Sequence, residues 1–448
     1  MNVNRIATDA PVYSPPKAAS VLLAHMLAAV LCQGVWYGVS SMMAVLARKR
    51  FGAGDWQTVM ITAAVPTLMI LSIFWGDLLR RVAIRRYLVI HWASSMLPLA
   101  VAAVAGNFWV LLACHILAAG GAAGWSPISG DLLKGFYTDR VRGRAFAMVN
   151  SAMFGGMMVV SFAIGRGLDH DESVFRLYLP LAAGVYGVGI WILCRLVRVT
   201  NLEGGRAAMI CTQEPLGLRR LLAPVAHTRR VLREDHTFFR YETAFMTYGV
   251  GWMICYALVP VLATDRLQMS YTEFAGSTQV VYPLCMLLMT YPMGWLTDRI
   301  GPVRTSGLSF AWLAVYPVGL ALAHSVGAVA GSTVVYGTAM AGVHMGWMLG
   351  PVALAPSRDK VAEYVAIHAT MVGIRGVFAQ VLGMAVYRLT GSFGWSFAVA
   401  AMSFALAAVQ MFRLEGSIRS RATVAEERSR APGTASELEP LAVTPETP

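Results

Sequence analysis

Long apolar runs separated by short polar turns leave this chain few folds to adopt. They cover Val21 to Leu46, Val59 to Phe74, Tyr87 to Ala105, Phe108 to Pro127, Ala145 to Ile164 and Leu177 to Leu193, and six more follow a polar centre. Each run reaches or approaches the roughly 17–25 residues that a helix needs to cross a bilayer. The expectation is an all-α membrane protein of twelve transmembrane helices. Composition agrees, with 57% hydrophobic and 13% charged residues against the ~25% charged usage of soluble domains. The first run is too long for the apolar core of a signal peptide and follows Pro11, Pro15 and Pro16, so it is expected to remain as the first span.

A net charge of +12 could point to nucleic acid, but the basic residues are spread through the loops and read as orientation instead. With a cytoplasmic N-terminus, the loops on that side carry 21 basic residues and the opposite loops carry seven. Both termini are then expected in the cytoplasm. Arg48, Lys49 and Arg50, after the first span, break this rule locally. The short loops favour a bacterial inner (cytoplasmic) membrane, and the chain is expected to act as a monomer in the lipid bilayer. Six cysteines form no CxxC pair and read as small buried residues rather than a disulfide or zinc framework.

The longest polar interval divides six spans from six. The organisation expected is a segment 1–19, a six-helix bundle 20–200, a basic linker 201–237, a second bundle 238–413 and a disordered tail 414–448. Within the linker, Leu218, Leu221, Leu222 and Val225 recur at helical spacing beside Arg219, Arg220, Arg229 and Arg230, as in a segment lying at the membrane interface. The bundles match with a shift of about 216 to 218 residues. Trp36 pairs with Trp252, Val45-Leu46-Ala47 with Val261-Leu262-Ala263, Pro66 with Pro283, Gly76 with Gly294 and Gly155 with Gly373. That order implies two copies of one six-helix unit, as in transporters built from parallel repeats.

After the eighth run the chain reads Gly294-Trp295-Leu296-Thr297-Asp298-Arg299-Ile300-Gly301-Pro302-Val303-Arg304. This resembles the loop signature G-x-L-x-D-R-x-G-x-x-R of the major facilitator superfamily (MFS), matched at Gly294, Leu296, Asp298, Arg299, Gly301 and Arg304. The resemblance implies a secondary transporter with a central cavity between its halves, and in that family the signature latches the cytoplasmic gate. A carboxylate near the N-terminus of a neighbouring helix gains roughly 0.3–1 kcal/mol where exposed. Asp298 is therefore expected to face the start of span 5, near Arg142 and Arg144. The first copy departs from the pattern, reading Gly76-Asp77-Leu78-Leu79-Arg80-Arg81-Val82-Ala83. Arg80 stands where the carboxylate belongs. It is expected either to meet Asp359 and Glu363 at the start of span 11 in a charge-inverted latch, or to be one of four solvated arginines.

Polar residues at membrane depth are costly and are functional candidates. Arg375 lies about fourteen residues into span 11, or about 20 Å along a helix. Its guanidinium could hold an anionic substrate or a buried acid, or bond to carbonyls of adjacent helices. His368, two turns earlier, could be a proton site or a core histidine. His25, Gln33, His115, Tyr248, Trp252, Tyr256, Tyr336, His344 and Trp347 fall on helices that the resemblance places around the cavity, though aromatic residues in membrane helices also serve packing. Acids are scarce in the spans, with Glu242 the main one. An organic anion is the favoured solute.

The 25 methionines keep a copper-like cargo open. Met289 with Met293, Met153 with Met157, and His344 with Met348 each present soft ligands on one helix face, although methionine also fills apolar gaps. The chain shows no HExxH, P-loop, GxSxG or paired carboxylates in a span, so an enzyme is not expected, and no cofactor is implied. A transporter-like protein that no longer transports, serving as a receptor or assembly factor, is the remaining alternative.

Overall fold

The computed structural model describes residues 15–202, 228–357 and 360–430, and those in regular structure are helical. Among the described residues, ten helices are long and apolar enough to cross a membrane: α1 (Lys17–Phe51), α2 (Asp55–Arg81), α3 (Ile84–Val104), α4 (Phe108–Phe136), α5 (Val141–His170), α6 (Glu172–Val199), α7 (His236–Arg266), α8 (Tyr271–Ile300), α10 (Val326–Leu354) and α12 (Phe393–Arg421). The other two expected spans are filled by α9, made of Pro302–Leu313 and Val315–Ala321, and by α11, Val361–Thr390. Helices suit such a setting because hydrocarbon offers backbone groups no partner outside the segment.

Local chemistry sets the boundaries. Asn107, Asp235 and Ser325 accept hydrogen bonds from the backbone amides three residues on, at the starts of α4, α7 and α10, and Ser270 with Glu273 forms a reciprocal capping box at α8. Gly52 and Gly391 end α1 and α11 in the left-handed conformation, which glycine adopts without steric cost. The break in α9 has a covalent cause: Pro317 has no N–H to give to the carbonyl of Leu313, where the first segment ends.

Packing carries the repeat seen in the sequence. In the first half α1 packs on α5 and α6, α2 on α4, and α3 on α4 and α6. The second half repeats this six helices later: α7 on α11 and α12, α8 on α10, and α9 on α10 and α12. The halves meet through α2 with α11 and α5 with α8, which exchange under the same relation. Small residues permit the closest approaches. A Cβ on Gly121 of α4 would overlap the backbone of Ser94 and Ser95 on α3, and backbone cannot swing aside. Gly121→Ala is expected to cost about 2 kcal/mol by overpacking, read as a lower melting temperature in detergent; an unchanged melting temperature would refute this account of the contact.

The linker segment Leu218 to Val225 lies outside the described residues. In the tail, residues expected to be disordered from 414 onward instead continue the last helix to Arg430. A Glu415–Arg419 pair one turn apart and a hydrogen bond from Arg421 to Thr237 supply local contacts that composition alone does not reveal. The α2–α3 and α8–α9 loops, which carry the two motif copies, define the motif end of the bundle, and the opposite end is the far end.

Candidate substrate site in the second half

Along α7, Tyr241, Glu242, Phe245, Tyr248, Gly249, Trp252 and Tyr256 recur at three- and four-residue spacing, and along α11 Tyr364, His368 and Arg375 are spaced by four and seven. Such spacing stacks side chains on one helix face, and packing turns these two faces toward each other. Glu242 and His368 are each 2% exposed and joined through Oε1 and Nδ1 at 2.7 Å. Phe245, Tyr241 and Trp347 surround the imidazole, with ring centroids 4.8, 5.9 and 5.6 Å away. Among the described residues, Glu242 Oε2 and His368 Nε2 have no hydrogen-bond partner.

Two turns further along α11, Arg375 is 5% exposed. Its Nη1 donates to the carbonyl of Phe245, so one of its N–H groups does bond a neighbouring helix's backbone. The guanidinium carbon lies 5.3 Å from the Tyr248 ring centre and 5.9 Å from that of Trp252, within cation–π range. Nε has no partner among the described residues. Gly249 makes this position possible, because a Cβ there would occupy the space of the guanidinium.

An aromatic wall continues toward the far end. Trp252 Nε1 donates to Tyr336 Oη at 2.7 Å, Tyr336 packs on Tyr282 and Tyr316, and Tyr256 packs on Trp252. His344 stacks on Trp347. Tyr37 on α1 and Tyr256 on α7, one in each half, are both 40% exposed. Arg375, His368, His344, Trp347, Tyr336, Trp252, Tyr248 and Tyr256 therefore converge on one region.

Three other candidates do not join it. His25 bonds the Tyr137 hydroxyl at 3.0 Å, Gln33 donates to Tyr186 at 3.0 Å, and His115 is buried on α4, which packs on α2, with Nδ1 unpartnered among the described residues. These contacts belong to the interior of the first half. There Tyr186 Oη also meets His91 Nε2 at 2.8 Å, a link across three helices that no sequence spacing announces. Gln33 sits in a π-helical turn, Val30–Gly34, within α1, a feature frequent at functional sites.

At the motif end, Gly301 has φ +82°, a conformation costly for other residues, and the Arg299 guanidinium lies 3.8 Å over the Trp295 ring. Asp298 and Arg304 are exposed, and among the described residues Asp298 forms no ion pair. The expected approach of Asp298 to Arg142 and Arg144 is thus not made here: Arg144 is exposed and Arg142 bonds the Tyr137 carbonyl. A Cβ on Gly294 would meet nothing within 4 Å, and one on Gly76 only Pro127 at 3.9 Å, so neither glycine is in tight contact. In the first copy Arg80 and Arg81 both bind Asp77, at 3.1 and 2.6 Å, which neutralises the arginine that replaces the motif carboxylate. Asp359 and the Glu363 side chain lie outside the described residues.

The far end is where the halves lock. Arg48 binds Asp55 in its own half at 3.2 Å and Thr264 and Asp265 in the other, while Asp55 also binds Arg388 of α11 at 3.0 Å. Asp169, at the end of α5, accepts from the amides of Tyr271 and Thr272 that begin α8. Nearer mid-depth, Thr62 of α2 donates to Gln380 of α11. Between α5 and α6, the hydroxyl and amide of Ser173 hold the Asp171 carboxyl below its ordinary pKa. The basic residues that broke the loop-charge rule are thus partly accounted for: Arg48 is an inter-half ion-pair residue, its side chain only 8% exposed.

Solved structures with this fold span nearly the whole chain. A peptide transporter POT in complex with sulfate superposes with a TM-score of 0.72 at 13% identity, covering 93% of this chain and 99% of that one. The human organic anion transporter MFSD10 (TETRAN) gives 0.62 at 14%, covering 89% and 100%. The nucleoside transporter NupG, as its D323A mutant, gives 0.64 at 12%, covering 89% and 99%. No curated protein matches at the sequence level. The Major Facilitator Superfamily model matches residues 25–280 and 243–443, and with the twofold helical architecture and the α8–α9 signature this settles the family: the chain belongs to the Major Facilitator Superfamily and is a multi-pass membrane transporter, not an enzyme.

Proposed function

We propose that this transporter moves a small organic anion across the cytoplasmic membrane by alternating access, as a monomer with both termini in the cytoplasm. The observation that carries the reading is Arg375, a guanidinium enclosed by aromatic side chains with Nε unpartnered among the described residues. A buried guanidinium N–H without an acceptor is costly, and an anionic ligand supplies one. Tyr256 and Trp252 offer an apolar wall for the rest of the solute. The two halves rock about this region, the far-end contacts opening as the motif-end contacts of Asp298 form. On this reading the conformation with the far end locked is the one open toward the cytoplasm. Anions are within the reach of the fold, as one neighbour was solved with sulfate and another is an organic anion transporter.

The test is a thermal-shift screen of detergent-purified protein against organic anions, amino acids, sugars, organic cations and Cu(I), since a ligand that binds only the folded state raises the melting temperature. Organic anions are expected to raise it by an amount that Arg375→Gln abolishes. A shift confined to Cu(I), or an anion shift that survives in folded Arg375→Gln protein, would overturn the reading.

A further inference from the structure

We propose that the Glu242–His368 pair takes up one proton for each anion bound at Arg375, so that this protein is an electroneutral proton–anion symporter. The inference rests on the anion reading of Arg375 and extends it to the coupling ion.

Its basis is a charge count in a low-dielectric site. With a neutral imidazole, His368 donates its Nδ1 hydrogen to the Glu242 carboxylate, and the buried cluster holds one negative and one positive charge, Glu242 and Arg375. Phe245 links them: its ring packs on His368, which bonds Glu242, and its carbonyl accepts from Arg375. An arriving anion leaves the cluster one negative charge in excess, which burial penalises. One proton added to His368 Nε2 restores neutrality. That nitrogen is buried and without a partner among the described residues, so its lone pair is available. Only an N–H bond forms, and no redox partner is needed. Linkage then runs both ways: the anion draws in the proton, and the proton tightens the anion.

The surroundings contain no competing charge among the described residues. Facing the pair are Tyr241 on α7, Trp347 with His344 behind it on α10, and Arg375 on α11, each with the contacts given above. Phe310 of α9 packs against Phe245, and α12 offers Phe404, which packs on Tyr248. The surface nearest the pair along α11 is at the motif end. One turn before His368, Tyr364 bonds Asp235 at 2.8 Å and lines a surface cleft of about 490 Å³ with Asp235, His236, Lys360 and Arg421.

Isothermal titration of the full-length protein with benzoate, in buffers of different ionisation heat, counts the protons taken up. The expected result is about one proton per benzoate, with affinity falling about tenfold per pH unit wherever one proton is taken up. Gln at position 242 mimics the neutral acid, so Glu242→Gln is expected to bind benzoate without proton uptake and with an affinity that no longer falls as pH rises. Benzoate binding with no proton uptake would overturn the coupling and leave the anion reading standing. Should benzoate not bind, an infrared titration of the unliganded protein decides. Removing the buried cation in Arg375→Gln must move the titration of the Glu242–His368 bands to higher pH, and bands that stay in place would overturn the proposal.

Discussion

Gly249→Ala is expected to abolish anion-dependent thermal stabilisation even though every charged residue of the site is kept. A methyl group there would stand where the Arg375 guanidinium now lies, so the side chain must leave the Phe245 carbonyl and the faces of Tyr248 and Trp252. Two effects on stability compete. Alanine in place of glycine inside a helix gains about 1 kcal/mol, whereas losing a hydrogen bond from a buried charged group costs about 1.5–3 kcal/mol. The loss wins, and the melting temperature falls. A double-mutant cycle isolates the cause: with Arg375→Gln already present there is far less to displace, so the added cost of Gly249→Ala should shrink or reverse sign. Additive effects, or an anion shift kept in folded Gly249→Ala protein, would show that Arg375 does not depend on this glycine.

Architecture was legible in the sequence because bilayer physics writes it in run length, and the six-plus-six division because the repeat keeps an almost constant shift. The α8–α9 signature was legible because its glycine and charges sit at fixed spacing. The site was readable only where one helix carries it: His368 and Arg375 share a face of α11, and Tyr248, Trp252 and Tyr256 share one of α7. Relations between distant helices were not. Glu242 stood out as the main acid in a span, but its pairing with His368 comes from the packing of α7 on α11. The role of Gly249 is a missing Cβ opposite a residue 126 positions later, which no local pattern encodes. Gln33 and His115 sit on helices of the right number, yet their rotation turns them into the first half's interior. Arg48 offered a faint signal: a basic residue on the wrong side of the charge count, whose equivalent one repeat later, Thr264, is followed by the acid Asp265.

That position sets the second large effect. Arg48→Ala is expected to open the far end, because this one guanidinium joins Asp55 and Thr58 of the first half to Thr264 and Asp265 of the second. Removing one member of a buried ion pair costs about 3–5 kcal/mol, and exposed pairs are worth about 0–1. Asp55 is largely buried while Asp265 is 41% exposed, so a value of about 2 kcal/mol lies between the limits. It falls only on the conformation in which the halves meet at this end, and so it shifts the population of open far ends about 30-fold rather than unfolding the protein. Met269, 1% exposed and bonded through its carbonyl to Lys49, is a natural reporter. A cysteine placed there should react with a maleimide much faster once Arg48 is gone. The exchanged pair Arg48→Asp with Asp265→Arg restores attraction between the halves but sets the introduced carboxylate beside that of Asp55, so it should recover only part of the protection. An unchanged labelling rate in Arg48→Ala would mean that the α2–α11 and α5–α8 contacts hold the far end without it. The Asp169 bonds to the start of α8 would then be the next to remove.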